Sequence, residues 1–208
     1  AIRRQRQMCI RDRYGTQVQA VLKKAAGLDI QMLLPLHGFV WRQDLGYILG
    51  KYDLWSRYEP EQRGVVIAYA SVYGGTENAA NILACRLREQ GVQVEMFDTS
   101  VTPASYILAA AFRFSHVVLA APTYNGGVFV TMENLLHDLT AHGLKGRRAA
   151  YIENGSWAPT SARGMQKLLE PLNWETAADT VTLRSALRQG QQEDLERMAA
   201  QLAESVKA

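Results

Sequence analysis

The sequence predicts an α/β protein in which helices cover both faces of a parallel sheet of five strands. From residue 65 onward, short apolar runs alternate with longer segments of helical periodicity. Strands joined through helices in this way form parallel sheets with right-handed connections. Three of the apolar runs end in polar, Gly-rich loops. Because ligands of open α/β sheets bind outside the carboxyl ends of the strands, these three loops are expected to form one site.

The chain before residue 64 divides into a leader and a short segment of mixed structure. Residues 1–13 contain five Arg and one Asp and have no periodicity, so residues 1–15 are predicted to be a disordered or artefactual leader, with a genuine basic tail as the alternative. A helix is predicted over 16–26, a strand over 28–34 and a second helix over 44–58, followed by a polar linker over 59–64. Residues 16–63 are therefore assigned to a segment separate from the domain of residues 64–208.

The alternation that starts at residue 65 defines the elements of the main domain. Gly91 and Gly143 follow two of the helical segments, as glycine commonly does at a helix C-terminus. The predicted strands are residues 65–70, 92–97, 117–121, 147–152 and 174–183. The predicted helices are residues 76–90, 103–112, 128–142, 160–170 and 191–206.

The charge distribution argues against a nucleic-acid-binding protein. The formal net charge is +3, but residues 1–13 alone contribute +4, which leaves 18 basic and 19 acidic residues in the rest of the chain. A nearly neutral body lacks the basic patch that contacts to a phosphate backbone require. No apolar run approaches the roughly 18 residues that span a bilayer, and no secretion signal is visible, so a cytoplasmic protein without a membrane partner is expected. Cys85, which has apolar neighbours in a predicted helix, is expected to be a reduced core thiol.

The first loop has the composition of a phosphate-binding turn. It reads Ser71-Val72-Tyr73-Gly74-Gly75-Thr76 and leads from a strand directly into a helix. Glycines let successive N–H groups converge on an anion, the helix N-terminus adds partial positive charge, and the two hydroxyls add donors. The loop has neither the Walker pattern nor G-x-G-x-x-G, and without Lys or Arg it is typical of a monophosphate site. Taken alone, it is equally compatible with an ordinary strand-to-helix turn.

The second and third loops add the groups that a flat heteroaromatic ring requires. An isoalloxazine ring needs an aromatic surface to stack on and polar groups along its edge. Tyr124 and Trp157 supply the surface, although either residue alone would more often serve packing. The predicted cofactor-binding residues of these two loops are Pro122, Thr123, Tyr124, Asn125, Gly126, Gly127, Asn154, Gly155, Ser156 and Trp157.

Residues 64–207 resemble a flavodoxin-like domain that binds FMN. The first two loops are similar to those of the A-type flavoproteins, the flavodiiron proteins, whose first loop commonly reads Ser-Met-Tyr-Gly-Asn-Thr. Here Val72 and Gly75 replace Met and Asn. Their third loop often reads Gly-Ser-Tyr-Gly-Trp, which differs from Asn154-Gly-Ser-Trp-Ala-Pro159. The resemblance implies FMN as cofactor and a five-stranded sheet in the order 2-1-3-4-5.

A second resemblance lies in residues 35–42, which are similar to the end of the metallo-β-lactamase-like domain of the same family. It implies that residues 16–63 are the C-terminal fragment of that domain with a linker, and that His37, followed by Gly38, is a ligand of a non-haem di-iron site. The family's His-x-Glu-x-Asp-His cluster is absent from this sequence. Iron is therefore expected only in the intact parent protein.

The implied function is an FMN-binding electron-transfer module of a flavodiiron oxidoreductase that reduces dioxygen, nitric oxide or both at the di-iron site. The implied partners are a rubredoxin-like protein or a reductase as electron donor, and a second subunit in a head-to-tail homodimer. No nucleophile or acid–base pair is predicted. Two alternatives stay open: a stand-alone flavodoxin or NAD(P)H:quinone reductase-like flavoprotein, and an α/β interaction domain without a cofactor.

Overall fold

Parallel strands connected by helices form a sheet that runs through the middle of the molecule. The computed structural model describes residues 14–36 and 38–208. The predictions for residues 1–13 and for His37 lie outside the described residues. The strands are β1 (Gln62–Tyr69), β2 (Val94–Asp98), β3 (Phe114–Tyr124), β4 (Gly127–Val128), β5 (Arg148–Asn154), β6 (Glu175–Thr176) and β7 (Val181–Leu183).

The α/β class with a parallel sheet is confirmed, but the sheet is not exactly the predicted one of five strands in the order 2-1-3-4-5, because it contains two additional short strands. Strands β2, β1, β3, β5 and β6 lie side by side in that order, while β7 pairs with β5 and β4 pairs antiparallel with β3. The single strand predicted over 174–183 is thus two short strands, β6 and β7, that share β5 as neighbour. They are separated around Asp179, whose backbone N–H donates to Gln201 Oε1 instead of to a neighbouring strand. Asp is disfavoured within strands, which is consistent with a break at this point.

Seven α-helices lie within the described residues, together with a short 3-10 helix (Glu170–Leu172), and all α-helices but the first two pack on the sheet. They are α1 (Gly15–Ala25), α2 (Leu45–Ser56), α3 (Gly75–Glu89), α4 (Ala104–Arg113), α5 (Val130–Ala141), α6 (Ser161–Leu169) and α7 (Gln189–Lys207). Helices α3 and α7 cover one face of the sheet, and α4, α5 and α6 cover the other. Side chains alternate across the central strand β1, so that Val65 and Ile67 face the first core and Ala68 faces the second. No helix in the described part of the chain is long and apolar enough to cross a bilayer.

Two predictions about single segments are wrong. The strand predicted over 28–34 is not formed, because its only ladder contact is an isolated antiparallel bridge between Leu33 and Trp41. Cys85 is exposed on α3 instead of buried. The buried stripe of α3 follows Ala80, Leu83, Ala84 and Leu87, and Cys85 points about 100° away from Ala84 on the helical wheel.

The buried guanidinium of Arg147 joins the N-terminal segment to the main domain. Its nitrogens donate to the carbonyl oxygens of Ala111 (2.8 Å), Phe112 (2.6 Å) and Tyr58 (2.7 Å). Burial lowers the pKa of Arg147 to about 10, and the nearby Glu61 carboxylate opposes this shift. The predicted linker of residues 59–64 is accordingly held against the domain, and its last residues already belong to β1.

Candidate functional site

The three predicted loops meet at the carboxyl edge of the sheet. They follow β1, β3 and β5, which are adjacent and parallel. Among the predicted residues, Thr76 and Asn154 are buried; Ser71, Gly75, Pro122, Thr123 and Gly155 are half-buried; and Val72, Tyr73, Gly74, Tyr124, Asn125, Gly126, Gly127, Ser156 and Trp157 are exposed. Most of the predicted site therefore borders solvent, at one end of the molecule.

The first loop ends at a helix N-terminus that no side chain caps. Gly74 is the N-cap residue of α3 and has a φ of +83°, a left-handed conformation that glycine adopts without strain. Its N–H donates to Ser71 Oγ at 3.1 Å, which fixes the turn. The N–H groups of the first turn carry the positive end of the helix dipole, so this loop can hold an anion. The side chain of Tyr73 is 99% exposed beside it.

The N-terminus of α6, which follows the third loop, is instead satisfied from within the protein. Thr123 Oγ1 accepts hydrogen bonds from the N–H groups of Thr160 (2.8 Å) and Ser161 (3.1 Å). The carboxylate of Glu153 accepts the N–H of Ala162 at 3.1 Å. A carboxylate therefore already accepts an N–H at this helix end, whereas no side chain caps the start of α3 and Glu77 in its first turn lies beside the Tyr69 hydroxyl. The start of α3 is accordingly the better place for an anionic ligand.

The second loop is a tight hairpin between β3 and β4. Thr123 pairs with Val128 and Tyr124 pairs with Gly127, which leaves Asn125 and Gly126 as a two-residue turn. Their φ angles of +49° and +73° are those of a type I′ turn, for which Asn-Gly is the preferred sequence. Tyr124 is 53% exposed and makes an edge-to-face contact with Phe129, with ring centroids 5.6 Å apart. The hairpin therefore presents an aromatic ring and flexible peptides at the sheet edge.

Hydrogen bonds link the third loop to both of the others. Asn154 Nδ2 donates to Thr76 Oγ1 of the first loop at 3.2 Å. Thr160 donates to the second loop, through its N–H to Thr123 and through its hydroxyl to the carbonyl oxygen of Gly126 at 3.4 Å. Trp157 lies between these anchor points and is 91% exposed. The loops are thus connected by backbone and small polar groups, and their large aromatic side chains project into solvent.

A fourth loop, which the sequence analysis missed, belongs to the same edge. It follows β7 and contains Ser185, whose φ of +66° is unusual for a residue other than glycine. Its N–H donates to Asn154 Oδ1 (2.8 Å) and its carbonyl oxygen accepts from Asn154 Nδ2 (2.9 Å). The Ser185 carbonyl also lies against Gly75, where a Cβ atom would come within 3.0 Å of it. Residues 184–187 contain no Gly, Pro, Asn or Asp, so that Ser185 is their only turn-favouring residue and their position after a strand is the main indication of a loop.

Tyr69, at the end of β1, lies below the first loop. Its hydroxyl is 3.5 Å from Glu77 Oε1 in the first turn of α3. Burial raises the pKa of Tyr69, and the Glu77 and Asp98 carboxylates raise it further. Tyr69 therefore remains a neutral hydroxyl under physiological conditions. Among residues 14–36 and 38–208, no group of three or more His, Cys, Asp or Glu residues is arranged to hold a metal ion.

No family model matches the chain. The nitric oxide reductase of Moorella thermoacetica is 29% identical over 143 residues, which cover 69% of this chain and 35% of that protein. The rubredoxin-oxygen oxidoreductase of Megalodesulfovibrio gigas is 23% identical over 185 residues, which cover 88% of this chain and 46% of that protein. This chain therefore spans less than half the length of these two relatives.

The fold of this chain is similar to that of solved flavodiiron proteins and of a flavodoxin. The flavodiiron protein from Giardia intestinalis superposes on this chain with a TM-score of 0.86 at 21% identity. The superposition covers 93% of this chain and 48% of the Giardia protein. A Streptococcus pneumoniae flavodoxin superposes with a TM-score of 0.59 at 24% identity and covers 68% of this chain and 98% of its own. The chain is accordingly a homologue of the flavodiiron proteins and has the fold of about half of such a protein.

Proposed function

We propose that residues 62–207 bind FMN at the carboxyl edge of the sheet and serve as the electron-transfer module of a flavodiiron oxidoreductase. The observation that carries the proposal is the exposure of Tyr73, Tyr124 and Trp157 on three interlinked loops. The three loops lie around the start of α3, which has no side-chain cap. Aromatic faces next to an anion-binding turn match a flat ring that ends in a phosphate.

The first loop is the proposed phosphate site. The N–H groups that open α3 and the Thr76 hydroxyl are the donors, and Gly74 is free of neighbours on its Cβ side, with no heavy atom within 4 Å of that position. None of the residues from Ser71 to Thr76 is a cation. Neutral donors together with a helix dipole suit a monoester phosphate, which carries less charge than a diphosphate or triphosphate chain.

The second and third loops are the proposed ring site. Tyr124 and Trp157 offer planes for stacking, and the peptides of Asn125–Gly127 and of Gly155–Ser156 offer donors and acceptors for the polar edge of the ring. The Asn125 side-chain amide is exposed and can join them. Val72, Pro122 and Thr123 complete the proposed set as residues that shape the loops.

The bound FMN would supply the redox chemistry, and the protein would supply binding, orientation and exclusion of water from the ring face. The stacking residues fix the plane of the ring, and the helix start fixes the position of the phosphate. Together they would hold the ring at a constant place relative to an electron donor and an acceptor. No side chain at this edge is proposed to act as a nucleophile or as a general acid or base.

The remaining proposals concern the intact protein. Residues 16–63 are proposed to be the end of a metallo-β-lactamase-like domain, with His37 as one ligand of a di-iron site that reduces dioxygen, nitric oxide or both. The names of the relatives support this assignment, since they are a nitric oxide reductase and a rubredoxin-oxygen oxidoreductase. A rubredoxin-like protein or a reductase is the proposed electron donor, and a head-to-tail homodimer in the cytoplasm is the proposed assembly.

The extent of the structural match favours this function over a stand-alone flavodoxin. The flavodoxin covers only 68% of the chain, whereas the rubredoxin-oxygen oxidoreductase of Desulfovibrio gigas covers 94% with a TM-score of 0.86. A match of that extent includes most of residues 14–61. A quinone reductase-like flavoprotein gives no reason for this segment to align.

Titration of the purified 208-residue chain with FMN and with riboflavin tests the proposal. We expect tight binding of FMN with quenching of flavin fluorescence, and weaker binding of riboflavin, which lacks the phosphate. Absence of flavin binding would refute the function. Rapid reduction of the bound flavin by NADH without any carrier protein would favour the quinone reductase alternative.

A further inference from the structure

We propose that Asn154 is a positioning residue, which orients the Thr76 hydroxyl so that its hydrogen is directed to the phosphate of the cofactor. The inference rests on the proposed FMN function and assigns to Asn154 a role that does not involve contact with the cofactor. It rests on the hydrogen bonds of the Asn154 side chain, on the backbone of Ser185 that orients this side chain, and on the direction that the Thr76 hydroxyl hydrogen is left to take.

The Asn154 side-chain amide is buried and uses every one of its hydrogens inside the protein. The residue is 7% exposed at the end of β5. Nδ2 donates to the Ser185 carbonyl oxygen (2.9 Å) and to Thr76 Oγ1 (3.2 Å), and Oδ1 accepts from the Ser185 N–H (2.8 Å). A primary amide nitrogen carries two hydrogens, so Asn154 has no donor left for a ligand.

The backbone of Ser185 determines which way round the amide lies. Ser185 presents one donor and one acceptor to Asn154, and a rotated amide would oppose the two carbonyl oxygens and the two N–H groups. Nδ2 must therefore face Thr76. Ser185 can offer both groups because its φ of +66° turns the N–H and the carbonyl oxygen to the same side of the loop as Asn154.

The hydrogen bond from Asn154 defines the direction in which the Thr76 hydroxyl can donate its own hydrogen. Because Oγ1 accepts a hydrogen from Asn154, its own hydrogen points away from Asn154 and can be donated to another acceptor. Thr76 is the second residue of α3 and 2% exposed, so an acceptor must approach through the first loop. Thr140 in α5 shows the contrasting case, since its single hydroxyl hydrogen is taken up within the protein, where the carbonyl oxygens of Leu136 (2.9 Å) and Leu168 (3.0 Å) are both within reach.

The test is a double-mutant cycle on the 208-residue chain, in which the ratio of the riboflavin and FMN dissociation constants is measured. Asn154→Ala removes the orienting donor, and Thr76→Val removes the hydroxyl but keeps the shape. We expect Asn154→Ala to lower the ratio about tenfold, as for one lost hydrogen bond to a charged group. In the Thr76→Val background, the same change should alter the ratio less than twofold.

Ser161→Ala is the matched control, because the Ser161 hydroxyl is also fully buried at this edge and donates to the Ala121 carbonyl oxygen at 2.8 Å. Its loss should weaken FMN and riboflavin binding equally. If circular dichroism shows that Asn154→Ala is unfolded, the isosteric Asn154→Asp variant takes its place. Its carboxylate would attract the Thr76 hydroxyl hydrogen and would also repel the phosphate directly. Only the first of these two effects on the ratio should be lost in the Thr76→Val background, so the total effect should become smaller there but should not vanish.

The outcomes separate the inference from the function on which it rests. An equal effect of the Asn154 change in both Thr76 backgrounds, or equal losses of FMN and riboflavin affinity, would overturn the positioning role while FMN binding stands. An unaltered chain that does not bind FMN, or does not prefer it to riboflavin, would overturn both.

Discussion

Gly75 and Ser185 approach so closely that a Cβ atom on Gly75 would lie within 3.0 Å of the Ser185 carbonyl oxygen. Two loops that are 110 positions apart in the chain are thereby packed backbone against backbone, and the Asn154 side chain, which bonds Ser185, lies next to the same position of Gly75. The space that the Asn of the family's first loop would need is filled here by the loop after β7. This contact explains why a glycine is required at position 75 of this chain.

Gly75→Ala is expected to destabilise the protein by about 1–3 kcal/mol, because the added methyl group must displace the Ser185 carbonyl. Urea denaturation of the cofactor-free chain measures this loss. Gly74→Ala is the comparison, since position 74 has open space and only its positive φ opposes a side chain, at roughly 1–2 kcal/mol. The double variant Gly75→Ala, Ser185→Gly, with a more adaptable loop, should recover part of the stability that Gly75→Ala loses. No recovery would argue against the contact as the cause.

Trp157→Ala is expected to weaken FMN and riboflavin binding alike, by about 1–2 kcal/mol, because both ligands carry the ring that the indole would stack on. The free energy of unfolding of the cofactor-free variant should differ from that of the unaltered chain by no more than about 0.5 kcal/mol, since the Trp157 side chain is 91% exposed. Val101→Ala removes a 79% exposed side chain from the loop after β2 and should leave flavin affinity unchanged. A loss confined to FMN would place Trp157 near the phosphate instead of the ring.

Stability is expected to fall as the pH drops from about 6.5 to about 4, because His116 is buried as the neutral ring. Its nitrogens contact Ser115 Oγ (2.8 Å) and Ser205 Oγ (2.9 Å), and Arg148, itself paired with Glu175, approaches Ser205. Burial and then the Arg148 charge lower the pKa of His116 to about 4 from 6.5. The unfolded chain therefore binds an extra proton in this window, at a cost of about 3 kcal/mol to folding.

Denaturation at pH 7.0 and pH 4.5 measures this contribution. His116→Gln should flatten the difference between the two pH values, and His137→Gln, at an exposed position on α5, should not. An unchanged pH dependence in His116→Gln would assign the acid sensitivity to other groups.

Arg147→Met is expected to destabilise the chain by about 3 kcal/mol, because the carbonyl oxygens of Ala111, Phe112 and Tyr58 lose their buried donor together. Backbone hydrogen exchange should become faster around residues 58–61, where the Glu61 N–H donates to the Arg113 carbonyl oxygen. It should change much less in the loops at the carboxyl edge of the sheet. Arg148→Met is the control, since Arg148 pairs with Glu175 at the surface. Equal losses in the two variants would contradict the joining role of Arg147.

The alternation of strands and helices was predictable because the apolar periodicity of residues 65–207 reports burial directly. The predicted helix from 76 to 90 corresponds to α3 (Gly75–Glu89), and the loops after β1, β3 and β5 lie where the strand ends required them. The apolar run 28–34 was mistaken for a strand because a strand also needs a partner, and neither neighbouring sequence nor composition supplies that information. Apolar residues of this segment such as Leu28 and Leu34 are 68% and 71% exposed.

The role of Ser185 could not be predicted from the sequence, for a different reason. Its positive φ is held by Asn154, a residue 31 positions away, and nothing local predicts it. In the same way, Asn154 was predicted as a cofactor contact because an amide at a strand end suits that role. Whether the amide faces outward or toward a second loop is decided by tertiary contacts. The prediction that the sixteen loop residues form a flavin site stays a prediction, and our proposal changes it only for Asn154, to which it gives no direct contact with the cofactor.

The carboxylate of Glu153 has an effect on the direction in which a ligand can lie. At the start of α6 a carboxylate accepts a backbone N–H, while at the start of α3, two strands away, no side chain caps the helix and Glu77 of its first turn lies beside the Tyr69 hydroxyl. A molecule with a single anionic tail therefore finds backbone donors not already bound to a carboxylate at only one of these two helix starts. We therefore expect a bound ligand to lie in one orientation, with its anionic end at the start of α3 and its uncharged end toward the start of α6.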